Sequence, residues 1–148
     1  MQRVVLEQSL GFVATVTPDG RPNLSPKGTT TVFDATRLMF ADVALPQTVA
    51  NLASNPNVEV NVVDPIVRKG YRFKGTASVH TGGPMYEQGI AVMRSRGSTT
   101  TRERIRSIVI IDVIEAASLI SPAYDDGTSE EVIAERWLRR VTELRSGD

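Results

Sequence analysis

The stretch GFVATVTPDGRPNLSPKGTTTVF, residues 11–33, carries most of what the sequence says about the fold. Phe12, Val13, Ala14, Thr15 and Val16 make a β-rich run, since branched and aromatic side chains suit a pleated surface. Pro18-Asp19-Gly20 then supplies a turn: a fixed φ, a side-chain acceptor for backbone N–H groups, and a residue that tolerates positive φ. The chain resumes extended through Asn23-Leu24-Ser25 and, past Pro26, through Thr29-Thr30-Thr31-Val32-Phe33. Proline has no N–H to give to a ladder, so Pro26 marks an edge strand or a bulge.

Working outward, Leu38-Met39-Phe40-Ala41 reads as a third strand. Pro46 to Ser54 changes period: Val49, Leu52 and Ala53 fall at helical spacing, Pro46 suits a first turn, and Asn55-Pro56 ends the helix. Val58, Val60 and Val62 alternate with polar residues as a fourth strand, and Tyr71 to Val79 gives a fifth. Gly82-Gly83-Pro84 opens a helix to about Met93. Ile105 to Leu119 is the longest β signal, and its unbroken Ile108-Val109-Ile110-Ile111 predicts burial on both faces. One small barrel is not expected to cover both, which points to a partner. Thr128 with Glu131 reads as a capping box for a last helix to about Leu144, with an apolar stripe of Ile133, Trp137, Val141 and Leu144. Many short antiparallel strands with few helices predict a small barrel with peripheral helices.

The chain of 148 residues suits one domain, 1–148, of the usual size of roughly 100–150 residues. Its Lys+Arg and Asp+Glu counts are both 17, so a net charge of zero argues against nucleic acid as partner. The absence of cysteine excludes a disulfide scaffold, a thiol nucleophile and a thiolate zinc site. No apolar run approaches the ~20 residues that span a bilayer, and the first residues lack the apolar stretch of a secretory signal. A cytoplasmic protein without membrane contact is expected. The lone histidine, His80, cannot build a multi-histidine metal site and reads as a strand-end surface residue, so no metal is expected. There is no nucleophile elbow, phosphate loop or dinucleotide fingerprint. A chain without a catalytic set of its own either only binds or borrows its chemistry from a cofactor.

Three groups of residues remain. Ser25-Pro26-Lys27-Gly28-Thr29-Thr30 sets a lysine among hydroxyls beside a glycine; it is either a ligand-facing strand or a bulged edge with a solvated lysine. Ala41-Asp42-Val43-Ala44-Leu45-Pro46-Gln47-Thr48 joins a strand to a helix start, where free N–H groups attract an anion or are simply capped. Arg94, Arg96, Arg102, Arg104 and Arg106, around Gly97-Ser98-Thr99-Thr100-Thr101, either contact phosphate or form a solvated loop.

In order and spacing these segments resemble the pyridoxamine 5′-phosphate oxidase-like, FMN-binding split-barrel family of small flavin-binding proteins. The resemblance runs from Gly11 to about Pro122. It is carried by Gly11–Val16 with Asp19-Gly20-Arg21-Pro22, by Ser25-Pro26-Lys27-Gly28, by Phe40-Ala41-Asp42 with Thr48, Asn51-Leu52 and Asn55-Pro56, and by Gly75-Thr76-Ala77 with Gly83-Pro84. It implies a mainly β fold: a six-stranded antiparallel split β-barrel (Greek key) with flanking helices, assembled as a homodimer with two flavins at the subunit interface. It also implies FMN as cofactor and a flavin-dependent oxidoreductase acting on a small-molecule substrate or electron donor. Ser25, Pro26, Lys27, Gly28 and Thr29 are then expected near the flavin ring or ribityl chain, where a cation favours a reduced anionic flavin. Ala41, Asp42, Gln47 and Thr48 are expected at the junction that takes the phosphate. Family members often place a basic residue where Gln47-Thr48 stands here. The chain also ends before the C-terminal strand of the pyridoxamine phosphate oxidases, so that vitamin chemistry is not expected. A deazaflavin in the same barrel, or a flavin-binding module without turnover, are the alternatives.

Overall fold

The structure is a computed structural model that describes residues 1–44 and 46–147. It opens with a helix absent from the sequence reading, α1 (Gln2–Gln8). Seven residues with adjacent valines are marginal as an isolated helix. This one holds because Val5 is inserted, fully buried, among the core residues of the sheet.

The expected hairpin follows as β1 (Gly11–Val16) and β2 (Pro22–Lys27), paired from Gly11↔Lys27 to Val16↔Pro22. Gly20 takes the positive φ of the turn, at 82°. The second arm then breaks, because the N–H and the hydroxyl of Thr30 both donate to the Lys27 carbonyl, at 3.2 and 2.9 Å. Beyond this corner β3 (Thr31–Val32) runs separately, so the sheet has seven strands where six were expected. The others are β4 (Arg37–Asp42), β5 (Asn57–Asp64), β6 (Lys69–His80) and β7 (Ser107–Ile120), with α2 (Pro46–Ser54) after β4 and α3 (Gly83–Ser95) after β6.

The strand order is β2-β1-β5-β6-β7-β4-β3, antiparallel at every pair. β2 and β3 therefore lie at opposite edges, although only Gly28, Thr29 and Thr30 separate them. Four Cα steps reach at most roughly 14 Å. The sheet must curl until its edges meet, which makes a split barrel with its seam at this corner. Pro22 and Pro26 sit in the edge strand β2, where no ladder bond is lost on the outer side.

Val13, Phe40, Val60, Val109 and Ile111 fill the barrel. On the outer face Ile108 and Ile110 pack with Tyr86, Ile90 and Met93 of α3. The doubly apolar run is thus covered on both faces within one chain, and it supplies no argument for a partner.

The last helix, α4 (Glu130–Ser146), is capped by Ser129, whose hydroxyl accepts from the Val132 N–H, and not by the expected Thr128. Only Ile133 of its stripe is buried. The helix hangs on the β5–β6 turn: the Arg68 guanidinium lies 4.2 Å from the Trp137 ring centroid, and Lys69 bonds Glu130 at 2.7 Å. Among the described residues no helix is long and apolar enough to cross a membrane.

Candidate functional site

The corner between β2 and β3 is where the sequence-selected residues converge. β4 outruns the two-residue β3, leaving the backbone of Ala41 without a strand partner on that side. Thr29 replaces the strand: its hydroxyl accepts from the Ala41 N–H at 2.9 Å and donates to the Ala41 carbonyl at 3.2 Å. Two cavities flank the corner and share Gly28 and Thr29. One, of about 140 Å³, is walled by Pro26, Lys27, Ala41, Val43 and Ala44. The other, of about 270 Å³, lies against Thr30, Thr31, Arg96, Ser98 and Thr100. Nothing lies within 4 Å of where a Gly28 side chain would begin, so a flat ligand can reach the backbone there.

Alternation along β2 runs opposite to a plain barrel strand. Leu24 and Pro26 face out, while Ser25 and Lys27 face in. Lys27 is 6% exposed, with Nζ 5.6 Å from the centroid of the Phe40 ring. It is therefore not the solvated lysine of a bulged edge. Burial holds its amine below the usual lysine range; Asp42 works against that shift and Arg106 adds to it. Asp42, also buried, gives one carboxylate oxygen to Arg106 Nε at 3.3 Å, and its carbonyl accepts from the Arg106 N–H at 2.9 Å. Its other oxygen has no hydrogen-bond partner among the described residues, nor do the buried hydroxyls of Ser25 and Ser107. Ser107 stands directly opposite Asp42 across β4 and β7. Buried polar atoms are normally satisfied, so the two orphans that face each other on β4 and β7, Asp42 and Ser107, leave room for a ligand or water; Ser25 lies apart on β2, and Asn61 Oδ1 and Arg72 Nε are also unpaired among the described residues.

The start of α2 is less complete as a phosphate grip than the sequence suggested. Gln47 is exposed and donates to Asn51 Oδ1 at 2.8 Å; Asn51 in turn donates to Thr15 Oγ1 at 2.9 Å and locks α2 onto β1. Thr48 is buried. Among the described residues neither Gln47 nor Thr48 lines the cavity beside Lys27, and Leu45, the residue before the helix, lies outside the described residues.

The arginine run is divided among separate tasks. Arg96 lines the larger cavity, Arg102 forms a two-pronged bridge to Glu87 on α3, and Arg106 holds Asp42. His80 ends β6 with Nε2 at 2.9 Å from Ser78 Oγ. No group of three potential metal ligands occurs among the described residues.

Residues 1–117 match the family described as pyridoxamine 5′-phosphate oxidase. The chain belongs to that family. Residues 118–148, with α4, lie beyond the match. Among solved structures, HupZ of Group A Streptococcus is 30% identical, with a TM-score of 0.71 over 82% of this chain and 92% of that one. An F420 reductase (22% identical, TM-score 0.60, 76% and 93% covered) and an FMN-binding protein from Syntrophomonas wolfei (15%, 0.60, 80% and 88%) share the fold. An uncharacterised protein from Methanocaldococcus jannaschii is 31% identical over 80 residues, 53% of each chain. The chain thus spans about half the length of that curated relative.

Proposed function

We propose that this chain is an FMN-dependent oxidoreductase that works as a homodimer, with the flavin against the Gly28–Thr29 corner. The observation that carries the reading is the pairing of a buried cation, Lys27, with open backbone at Gly28 and an apolar wall of Ala41 and Val43. A flavin ring presents a flat apolar body with polar edges, and that set of surfaces suits it. Bound there, FMN would supply the electron transfer. The protein's own part is to orient the ring on the corner, place positive charge beside it through Lys27, and keep water from the Ala41 side. The start of α2, with Gln47 and Thr48, is assigned to the phosphate through its free N–H groups. The larger cavity, with Arg96 and the Ser98 and Thr100 hydroxyls, is assigned to an anionic small-molecule substrate or electron donor.

The dimer follows from size and surface. Ligand pockets usually enclose about 300–1,000 Å³, and the cavity beside Lys27 offers about 140 Å³. The cavity beside Lys27 alone is thus small for a flavin, which leaves room for a second chain to contribute. The outer face of the hairpin is apolar at three successive cross-strand pairs, Phe12↔Pro26, Ala14↔Leu24 and Val16↔Pro22. Leu24 is 63% exposed, and Pro26 carries this face directly into the cavity wall. A second copy on this face covers the apolar surface and completes the site.

The test is reconstitution of the purified protein. FMN is expected to bind saturably near one per subunit, with its fluorescence quenched or shifted. Saturable binding of a deazaflavin but not of FMN would move the reading to the fold shared with the F420 reductase. Binding without turnover of any nicotinamide donor would reduce it to a flavin-binding module.

A further inference from the structure

Among the described residues Lys27 has no ion-pair partner, for a reason visible in the structure. The only carboxylate on the strands and helix around it, β1 to β4 and α2, that also faces it is Asp42; β1, β3 and α2 carry no charged residue, and Arg37 at the far end of β4 pairs with Asp34. Asp42 is committed elsewhere. Arg106, just before β7, binds it twice, through its side chain to the carboxylate and through its N–H to the carbonyl. No ion pair joins Asp42 to Lys27, and the second Asp42 oxygen is buried without a partner. Lys27 and Asp42, both buried, thus act on one another without forming an ion pair.

We propose that Arg106 holds Asp42 away from Lys27, so that the counter-charge for Lys27 has to come from an anionic group of the bound ligand. This rests on the flavin reading for the identity of that ligand. Arg106 is then a positioning residue that makes the site selective for negative charge, without lining the cavity beside Lys27. Releasing Asp42 would let it neutralise Lys27 internally, and the site would lose its preference for anions.

The experiment compares wild type, Arg106→Gln, Asp42→Asn and the double variant Asp42→Asn with Arg106→Gln. Arg106 is half exposed, so its replacement opens no cavity, but it leaves the buried Asp42 unpaired, and the unfolding midpoint of each variant is measured beside its affinity. Two readouts are taken: FMN affinity by fluorescence titration, and the titration of Lys27 by NMR of ¹³Cε-labelled lysine, resolvable because the chain has only Lys27, Lys69 and Lys74. Loss of the Arg106 charge alone raises the pH at which Lys27 titrates, so the reading is taken from Asp42: Asp42→Asn is expected to lower the Lys27 titration further in the Arg106→Gln background than in the wild-type background, and FMN affinity is expected to fall roughly tenfold in Arg106→Gln, the lower end of a charge-assisted contact. In the double variant Lys27 returns to lower pH and affinity recovers. An Asp42→Asn shift of Lys27 that is the same in both backgrounds overturns the proposal. So does an affinity loss that the second substitution fails to rescue, since Arg106 would then act on the ligand or the fold directly. If wild type binds no FMN, the flavin reading falls alone, and the lysine titration still decides whether Arg106 withdraws Asp42.

Discussion

A lysine buried without an ion-pair partner costs stability, and among the described residues Lys27 is such a lysine. Its folded-state pKa lies below that of the unfolded chain, because burial disfavours the charged form. The unfolded state therefore holds more protons between the two values, and stability rises with pH across that window. Below the folded pKa both states are protonated and the burial cost is present in full. Lys27→Met is accordingly expected to stabilise the apoprotein at neutral pH, with the advantage over wild type shrinking as pH climbs toward the ordinary lysine range. FMN affinity should drop roughly tenfold to a hundredfold in the same variant. Urea denaturation at several pH values and a fluorescence titration check the two halves. A variant less stable than wild type at neutral pH would mean that Lys27 has a partner in the folded chain. The sequence flagged Lys27 as odd company for a strand, and period-two alternation places it on the same face as Ser25. What it could not give was the direction of that face, because a hairpin edge with apolar residues on alternate positions reads equally well either way round. The Asp42–Arg106 pair was hidden for another reason: it joins residues brought together only by the β4–β7 register.

Among the elements, those with strong local signals were legible and those defined by tertiary contact were not. Pro46 and Asn55-Pro56 bracket α2, and Gly83-Pro84 opens α3, since each uses backbone chemistry that acts within a few residues. α1 escaped because its stability comes from Val5 docking in the core. The break between β2 and β3 escaped because a threonine, a residue that favours strands, makes the turn through its hydroxyl. α3 shows the same dominance of packing over propensity. Gly89 sits in its middle, where glycine normally costs about 1 kcal/mol relative to alanine. A Cβ there would stand 2.6 Å from Ile108 Cγ2, so the glycine is what lets α3 lie flat on β7. Gly89→Ala is therefore expected to destabilise the fold by about 1–3 kcal/mol, the usual cost of overpacking, despite its better helix propensity. Chemical denaturation measures this directly, and a stabilised variant would show that α3 can lift from the sheet without loss.

For the whole molecule, the inverted pattern of β2 connects the site to the assembly. Turning Ser25 and Lys27 inward necessarily turns Leu24 and Pro26 outward, so the face proposed for a second copy is the reverse side of the strand proposed for the site. The sequence reading expected a homodimer from the resemblance and from the Ile108–Ile111 run; that run is covered by α3 and gives no argument for a partner, whereas the hairpin leaves Phe12 and Leu24 exposed. Leu24→Glu separates the two roles. Leu24 is mostly exposed in the single chain, and a surface substitution of this kind usually changes stability by no more than about 0.5 kcal/mol. At a two-fold interface the same change places two charges in an apolar contact, where unpaired burial is costly. The variant is expected to keep its unfolding midpoint under monomeric conditions, to sediment as a monomer at micromolar concentration where wild type is a dimer, and to lose FMN affinity together with the dimer. If the proposed dimer completes the site, the two losses should track one another as protein concentration is varied. A monomeric Leu24→Glu that still binds FMN as wild type does would confine the cofactor site to one chain, and a dimeric one would move the interface away from the β1–β2 face.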